Sequence, residues 1–134
     1  MRVLAVDLGR KRIGLAVANT ETRLPSPCRS LVASGSLARD AEAISRLAAE
    51  EAAALVVVGL PLNEQDPSMA RICEKLADKL LDLGLQVRLV DESLTSVEAE
   101  LQMSVAGLKA SERNRKRDGE AACRILDRYF HENS

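Results

Sequence analysis

The residues of this chain best suited to chemistry stand near its start, where a carboxylate closes an apolar run. Asp7 follows Val3–Val6, and Gly9 and three cations, Arg10-Lys11-Arg12, come directly after it. An apolar strand of this kind is normally buried, and a buried carboxylate is costly unless a cation or metal ion holds it. A second apolar run, Ile13–Val17, predicts a β-hairpin with the acid at its centre. The alternative is that Asp7 only caps the turn through backbone hydrogen bonds.

Further oxygen ligands occur where other predicted strands end and where a helix begins. Asn63 lies just past one strand, Asp91 and Glu92 end the last strand, and Asp118 begins the last helix. In open α/β sheets, function gathers at the carboxyl ends of the strands, so these groups are predicted to converge with Asp7. Two Mg²⁺ or Mn²⁺ ions bridged by the carboxylates would stabilise the cluster and support phosphodiester hydrolysis.

Each of these acids also has a purely structural interpretation. One of Asp91 and Glu92 is expected to cap the turn before the following helix. Asp118 would serve equally as an ordinary N-cap, because a carboxylate is favourable at the positive end of the helix dipole. Three acids in three matching places favour the metal site more strongly than any one of them does.

Hydrophobic periodicity and capping residues predict a mixed sheet with helices on its faces. Ser36 is the expected N-cap of one helix, Asp66-Pro67 open the next, and Gly84 ends it. The predicted strands are Arg2–Leu8, Arg12–Ala18, Cys28–Ala33, Leu55–Leu60 and Gln86–Val90. The predicted helices are Leu37–Glu51, Pro67–Leu83, Thr95 to about Met103, and about Asp118 to Phe130. A hairpin followed by βαβ units predicts an α/β fold with a five-stranded mixed sheet.

Composition limits the classes of function. The length of 134 residues predicts one domain, and a net charge of −1 excludes a broadly basic nucleic-acid binder. Tyr129 and Phe130 are the only aromatic residues, so base stacking on aromatic side chains is not expected. Three widely spaced cysteines and one histidine, His131, argue against zinc and favour reduced thiols in a cytoplasmic protein. No apolar stretch approaches transmembrane length.

Two groups of cations are predicted to form a phosphate-binding surface. They are Arg10, Lys11 and Arg12 in the first turn, and Lys109, Arg113, Arg115, Lys116 and Arg117 before the last helix. The alternative is a solvated loop, which is the commoner role of a charge run. Part of Lys109–Arg117 is expected to be mobile without nucleic acid, since it has almost no apolar anchor.

Four stretches of the chain resemble the bacterial Holliday-junction-resolvase-like family, whose members are also described as candidate pre-16S rRNA nucleases. The family belongs to the RNase H-like superfamily. The stretches are Asp7–Gly14, Val57–Asn63, Val90–Ala99, and Asp118 ahead of Ala121-Ala122 and Ile125-Leu126. They occur in the family's order and span nearly the whole chain, and the third is the most specific.

The resemblance implies a fold, a site and an activity. It implies an RNase H-like domain in which Asp7, Glu92 and Asp118 bind Mg²⁺ or Mn²⁺ and are catalytic, with Asp91 a weaker candidate. The implied activity is metal-dependent cleavage of structured nucleic acid, in maturation of precursor ribosomal RNA or at DNA junctions. A homodimer is compatible with these features, which do not determine the oligomeric state.

Three departures from the family pattern leave other functions open. Ser93 replaces an arginine, the loop Glu64–Asp66 is short and acidic, and Gly119-Glu120 follow the last acid. These changes are compatible with a catalytically weak module that binds RNA or a protein. The Asp-x-Gly hairpin with nearby cations also resembles the phosphate loop of actin-like ATPases, which need two such domains facing each other.

Overall fold

A computed structural model describes residues 1–61, 67–91 and 110–133, the last range with side chains from Gly119 onward. Its strands are β1 (Arg2–Leu8), β2 (Arg12–Asn19), β3 (Ser26–Pro27), β4 (Leu31–Val32), β5 (Ala53–Leu60) and β6 (Val87–Asp91). Its helices are α1 (Leu37–Glu50), α2 (Ser68–Asp82) and α3 (Ala110–Glu132). The predicted helix from Thr95 lies outside the described ranges.

The sheet is mixed, as the sequence predicts. Strands β1 and β2 form the antiparallel hairpin, whereas β1, β5 and β6 run parallel to one another. The order across the sheet is β3-β2-β1-β5-β6, and β4 also pairs with β2. The carboxyl ends of β1, β5 and β6 therefore lie together at one end of the sheet, and this is the end that carries Asp7.

The predicted third strand, Cys28–Ala33, is wrong in its bounds. Two short strands replace it, so the described sheet has six strands rather than five. Strand β3 pairs with Ala16 and Val17, and β4 pairs with Arg12 and Ile13. Pro27 has no N–H with which to continue a ladder, and this favours a short edge strand.

Strand β1 is buried on both faces. Val3, Leu4, Ala5 and Val6 are all fully buried. Val3 and Ala5 pack with Ala122, Ile125 and Leu126 of α3, whereas Leu4 and Val6 pack with residues of α1 and α2. Alternation along the strand therefore divides the protein into two apolar cores, one on each face of the sheet.

The start of α1 and the end of α2 follow the predicted capping, whereas the start of α2 does not. The Ser36 side chain accepts a hydrogen bond from the Arg39 N–H at 3.4 Å, and Asp40, which is buried, accepts one from the Ser34 N–H at 3.0 Å. Gly84 ends α2 with a positive φ of 89°. Pro67 precedes the first helical residue of α2 instead of occupying it, and Asp66 lies outside the described residues.

Helix α3 is longer than predicted. It begins at Ala110 instead of near Asp118, so the described part of the basic segment is helical and not a loop. Residues 110–117 include alanine, glutamate, lysine and arginine, which are good helix formers, and contain neither glycine nor proline. Asp118 therefore lies inside the helix, and the alternative that it is an N-cap is wrong. None of the described helices is long and apolar enough to cross a membrane.

The three cysteines are free thiols, as predicted. Burial raises the pKa of Cys123, on α3, to about 12, and the charges of Glu120 and Asp127 act in the same direction. Burial also raises the pKa of Cys28, which follows β3. Both groups therefore stay protonated at neutral pH.

We expect Cys123 to react slowly with iodoacetamide, at a rate that still rises well above pH 9. An exposed thiol with a pKa of about 8.5 would instead approach its maximal rate there. Because the folded pKa is raised, this thiol should also lower stability as pH increases from about 9 towards 12. Mass spectrometry of the alkylated peptide gives the rate, with the urea-unfolded protein as control. A profile identical in the folded and unfolded protein would contradict the packing of α3.

Candidate active site

Asp7 lies at the end of β1 where the strand leaves the core. It is half-buried and pairs with Gly14 of β2. Val3 and Ala5 face α3, so alternation places Asp7 on the α3 face as well. The predicted strand bounds, Arg2–Leu8, are confirmed, and with them the position of the acid.

The turn after Asp7 is tight and requires glycine. The Gly9 N–H donates a hydrogen bond to the Arg12 carbonyl oxygen at 2.9 Å. A Cβ atom at Gly9 would lie only 2.6 Å from that oxygen, closer than such atoms approach in practice. The missing side chain therefore lets the hairpin close immediately beyond the acid.

The backbone of α3 places Gly119, the residue after Asp118, level with the middle of β1. Gly119 lies against Pro27, which pairs with Ala16, and Ala16 pairs with Ala5 of β1. The other end of α3 lies near the start of β1. There the Phe130 ring is 5.8 Å from the guanidinium of Arg23, in the turn beyond β2. The helix therefore runs antiparallel to β1, with its N-terminal half towards Asp7.

Asp91, the last residue of β6, has a cationic neighbour. Its Oδ2 atom lies 3.7 Å from Nη1 of Arg128 on α3, and both side chains are partly exposed. An ion pair of this kind contributes little to stability, but it gives Asp91 a structural role. Glu92 and Asn63 lie outside the described residues.

The convergence of Asp7, Glu92 and Asp118 stays a prediction. Asp7 is the only one of the three whose side chain is described. Within the described ranges, no group of three histidine, cysteine or acidic side chains is placed to hold a metal ion. The backbone does place Asp118 on the helix that covers the Asp7 face of the sheet, level with the middle of β1.

The two predicted groups of cations flank the end of the sheet that carries Asp7. Arg10 and Lys11 are exposed in the hairpin turn, and Arg12 is half-buried. Arg10 donates to the Ser68 hydroxyl at the start of α2, at 3.5 Å. Arg113 and Arg115–Arg117 belong to the N-terminal part of α3, and Lys109 lies outside the described residues. Their role in binding phosphate stays a prediction.

A cleft beside the hairpin turn has no counterpart in the sequence analysis. Its volume is about 330 Å³, and Leu8, Gly9, Arg10, Gly35, Met69 and Ile72 are among its lining residues. These residues come from three separate segments, and no local pattern links them. The cleft opens on the α1 and α2 side of the sheet, opposite α3.

Solved structures identify the class to which this fold belongs. RuvC of T. thermophilus, in complex with a Holliday junction substrate, aligns with a TM-score of 0.61 at 15% identity, covering 100% of this chain and 97% of that one. The fowlpox virus resolvase, with Holliday junction DNA, gives a TM-score of 0.54 at 12% identity and covers 99% of each chain. At these identities the likeness shows the fold alone, that of the RuvC-like, RNase H-like resolvases.

Sequence comparison gives the family. The family model RuvX, described as Holliday junction resolvase, matches residues 1–132, and the chain belongs to this family. A protein of Anaeromyxobacter dehalogenans is 42% identical over 130 residues, covering 94% of this chain and 93% of its own. One from Chloroflexus aurantiacus is 37% identical over 132 residues, covering 96% and 85%. Both relatives are named as candidate pre-16S rRNA nucleases. The protein is accordingly a nuclease, an enzyme that hydrolyses phosphodiester bonds of nucleic acid.

Replacing Gly9 by alanine should destabilise the protein by about 1–3 kcal/mol, because the added Cβ collides with the backbone of Arg12. Urea unfolding measures the change. Lys11→Ala, at an exposed position of the same turn, is the control and should change stability by no more than about 0.5 kcal/mol. Equal stability of Gly9→Ala and Lys11→Ala would show that the turn tolerates a side chain at Gly9.

Proposed function

We propose that the protein is a divalent-metal-dependent endonuclease whose active site comprises Asp7, Glu92 and Asp118. Its proposed substrate is structured RNA, and its proposed role is maturation of the 16S ribosomal RNA precursor. The main support is the position of Asp7, a half-buried carboxylate at the end of a central strand, on the face covered by α3. In open α/β sheets, functional groups gather at the carboxyl ends of the strands.

The position of Asp118 inside α3 supports its inclusion. Aspartate is a poor helix former away from the first turn, at a cost of about 0.7 kcal/mol relative to alanine. As an N-cap it would need no further explanation, but the helix begins at Ala110. The acid therefore weakens the helix locally, on the face of the sheet that carries Asp7.

The ion pair of Asp91 favours Glu92 as the third ligand. The Arg128 guanidinium already balances the Asp91 carboxylate at 3.7 Å. If Asp91 bound metal, its carboxylate charge would be shared between the metal ion and the Arg128 guanidinium. Glu92 is the acid that the family resemblance also favours.

Carboxylate oxygens are the ligands that Mg²⁺ and Mn²⁺ prefer, so this set of residues fits such ions. A pair of bound ions would supply an activated water and stabilise the leaving oxygen. The chain's own contribution is to hold the ions with three acids from separate elements. The cations of the hairpin turn and of α3 would hold the substrate's phosphates beside them.

The proposed RNA substrate rests on the relatives named as candidate pre-16S rRNA nucleases. With two aromatic residues in the whole chain, recognition has to depend on phosphates and backbone shape. DNA junctions are the second candidate, because two structural neighbours were solved with junction DNA. Cleavage assays on structured RNAs and on four-way DNA junctions, with Mg²⁺ and with Mn²⁺, separate the two substrates.

Replacing Asp7 by asparagine should abolish cleavage and most of the stabilisation that Mn²⁺ gives the parent. That stabilisation is about 2.7 kcal/mol at a metal concentration a hundredfold above the dissociation constant. In EDTA the variant should melt higher than the parent, since converging carboxylates repel one another without metal. Thermal melts with EDTA and with Mn²⁺ measure both effects.

Asp91→Asn is the matched control for Asp7→Asn, because it also removes one carboxylate from the end of a parallel strand. It should keep both cleavage and the Mn²⁺ shift, whereas Glu92→Gln should lose both. Equal Mn²⁺ shifts in the parent and in Asp7→Asn would remove Asp7 from the site. If Asp91→Asn alone lost the Mn²⁺ shift, Asp91 would be the metal ligand and Glu92 would not.

Neutralising Arg10, Arg113 and Lys116 should flatten the salt dependence of RNA binding by about two to three units of log–log slope. The control variant neutralises Arg46, Lys75 and Lys79, exposed cations that lie beyond the first two turns of α1 and α2. Both variants change the net charge by the same amount. Fluorescence anisotropy over a range of salt concentrations gives the slopes. Equal slopes for the two variants would mean that the predicted cations are solvated and do not bind the phosphates of RNA.

A further inference from the structure

Gly119 brings α3 into close contact with the edge strand β3. It is buried, and a Cβ atom placed on it would lie 2.7 Å from Cβ of Pro27. Distances under 3.0 Å essentially never occur for real Cβ atoms. The contact atom belongs to a proline ring, which cannot rotate away as a flexible side chain would.

The neighbouring hydrogen bonds hold Pro27 in place. Pro27 pairs with Ala16 in β2, and the N–H of Cys28 donates to the Leu15 carbonyl at 2.8 Å. Strand β2 is in turn paired with β1 along its whole length. A side chain at position 119 would therefore press against an element hydrogen-bonded to the strand pair that carries Asp7.

We propose that Gly119 is a positioning residue, whose missing side chain lets α3 approach the sheet closely enough for Asp118 to share metal with Asp7. This inference rests on the proposed function, in which both acids are metal ligands. Asp118 directly precedes Gly119, so a displacement of the helix here is transmitted to it almost undiminished. Gly119 acts through Asp118 and has no chemical role of its own.

The difference in helix propensity between glycine and alanine makes the inference testable. Alanine is a better helix former than glycine, so Gly119→Ala at a roomy position would stabilise α3. Here the gap has to widen from 2.7 Å to about 3.4 Å before the contact becomes ordinary. Because displacements near 1 Å at a catalytic site cost roughly a hundredfold, even this shift should weaken metal binding measurably.

The experiment measures Mn²⁺ affinity by isothermal titration calorimetry and cleavage of structured RNA, well below the melting temperature, where circular dichroism shows each variant folded. Gly119→Ala should bind Mn²⁺ about tenfold or more weakly and cleave correspondingly slowly. Gly119→Ala combined with Pro27→Gly should recover both, because the colliding Cβ is gone. Gly119→Ala combined with Pro27→Ala should not recover, because that Cβ remains. Pro27→Gly alone should resemble the parent.

Two results would overturn the inference. One is an unchanged Mn²⁺ affinity in Gly119→Ala, which would mean that the edge strand yields while the helix stays in place. The other is equal recovery with Pro27→Ala and Pro27→Gly, which would show that the Cβ contact is not the cause. Asp118→Asn in the parent separates these failures from failure of the proposed function. If that variant keeps full Mn²⁺ affinity, the proposed site itself is wrong, whereas loss there with no effect of Gly119→Ala refutes the positioning role alone.

Discussion

Burial of β1 on both faces is the constraint on which the rest of the structure depends. Each fully buried valine or leucine there contributes about 1.5–3 kcal/mol through loss of apolar surface from water. The alternation divides these side chains between two cores, so a slip of one residue would move every one of them to the wrong face. The same slip would turn Asp7 away from α3. The register that stabilises the fold is therefore also the register that positions the acid.

Local signals in the sequence predict the elements near this strand well. The bounds of β1 are confirmed because its apolar run starts after Arg2 and ends at a glycine turn. The start of α1 follows from the Ser36 cap, and the end of α2 follows from Gly84. In these places the pattern and the tertiary packing favour the same structure, which is the condition under which local reasoning succeeds.

Elements that lack an apolar pattern were predicted less well. The first two turns of α3 are polar and basic, so periodicity gave no sign of a helix there, although the propensity of the residues favours one. The edge strands β3 and β4 are two residues each, shorter than any pattern can define. Their existence depends on pairing with β2, which is a tertiary property.

The candidate site shows the same division between local and tertiary information. The position of Asp7 was predictable because it depends on one strand and one turn. The ion pair of Asp91 with Arg128 was not, since it joins an edge strand to a helix far along the chain. Gly119 was visible in the sequence only as a departure from the family pattern. Its contact with Pro27 gives that departure a physical reason, because a close approach of two backbones is where a missing side chain matters.

The charges of the proposed site make metal and substrate depend on each other. In that site the three acids would repel one another, and the cations of the hairpin turn and of α3 would flank them. Bound metal would lower the repulsion among the acids and also the repulsion that they exert on phosphates. Phosphates held by the flanking cations would in turn offer the metal further oxygen ligands. By linkage, the factor by which bound metal raises the affinity for substrate equals the factor by which bound substrate raises the affinity for metal. In the proposed site, a chain with a net charge of only −1 would therefore bind both cations and a polyanion, because acids and cations would be segregated there and not averaged over the surface.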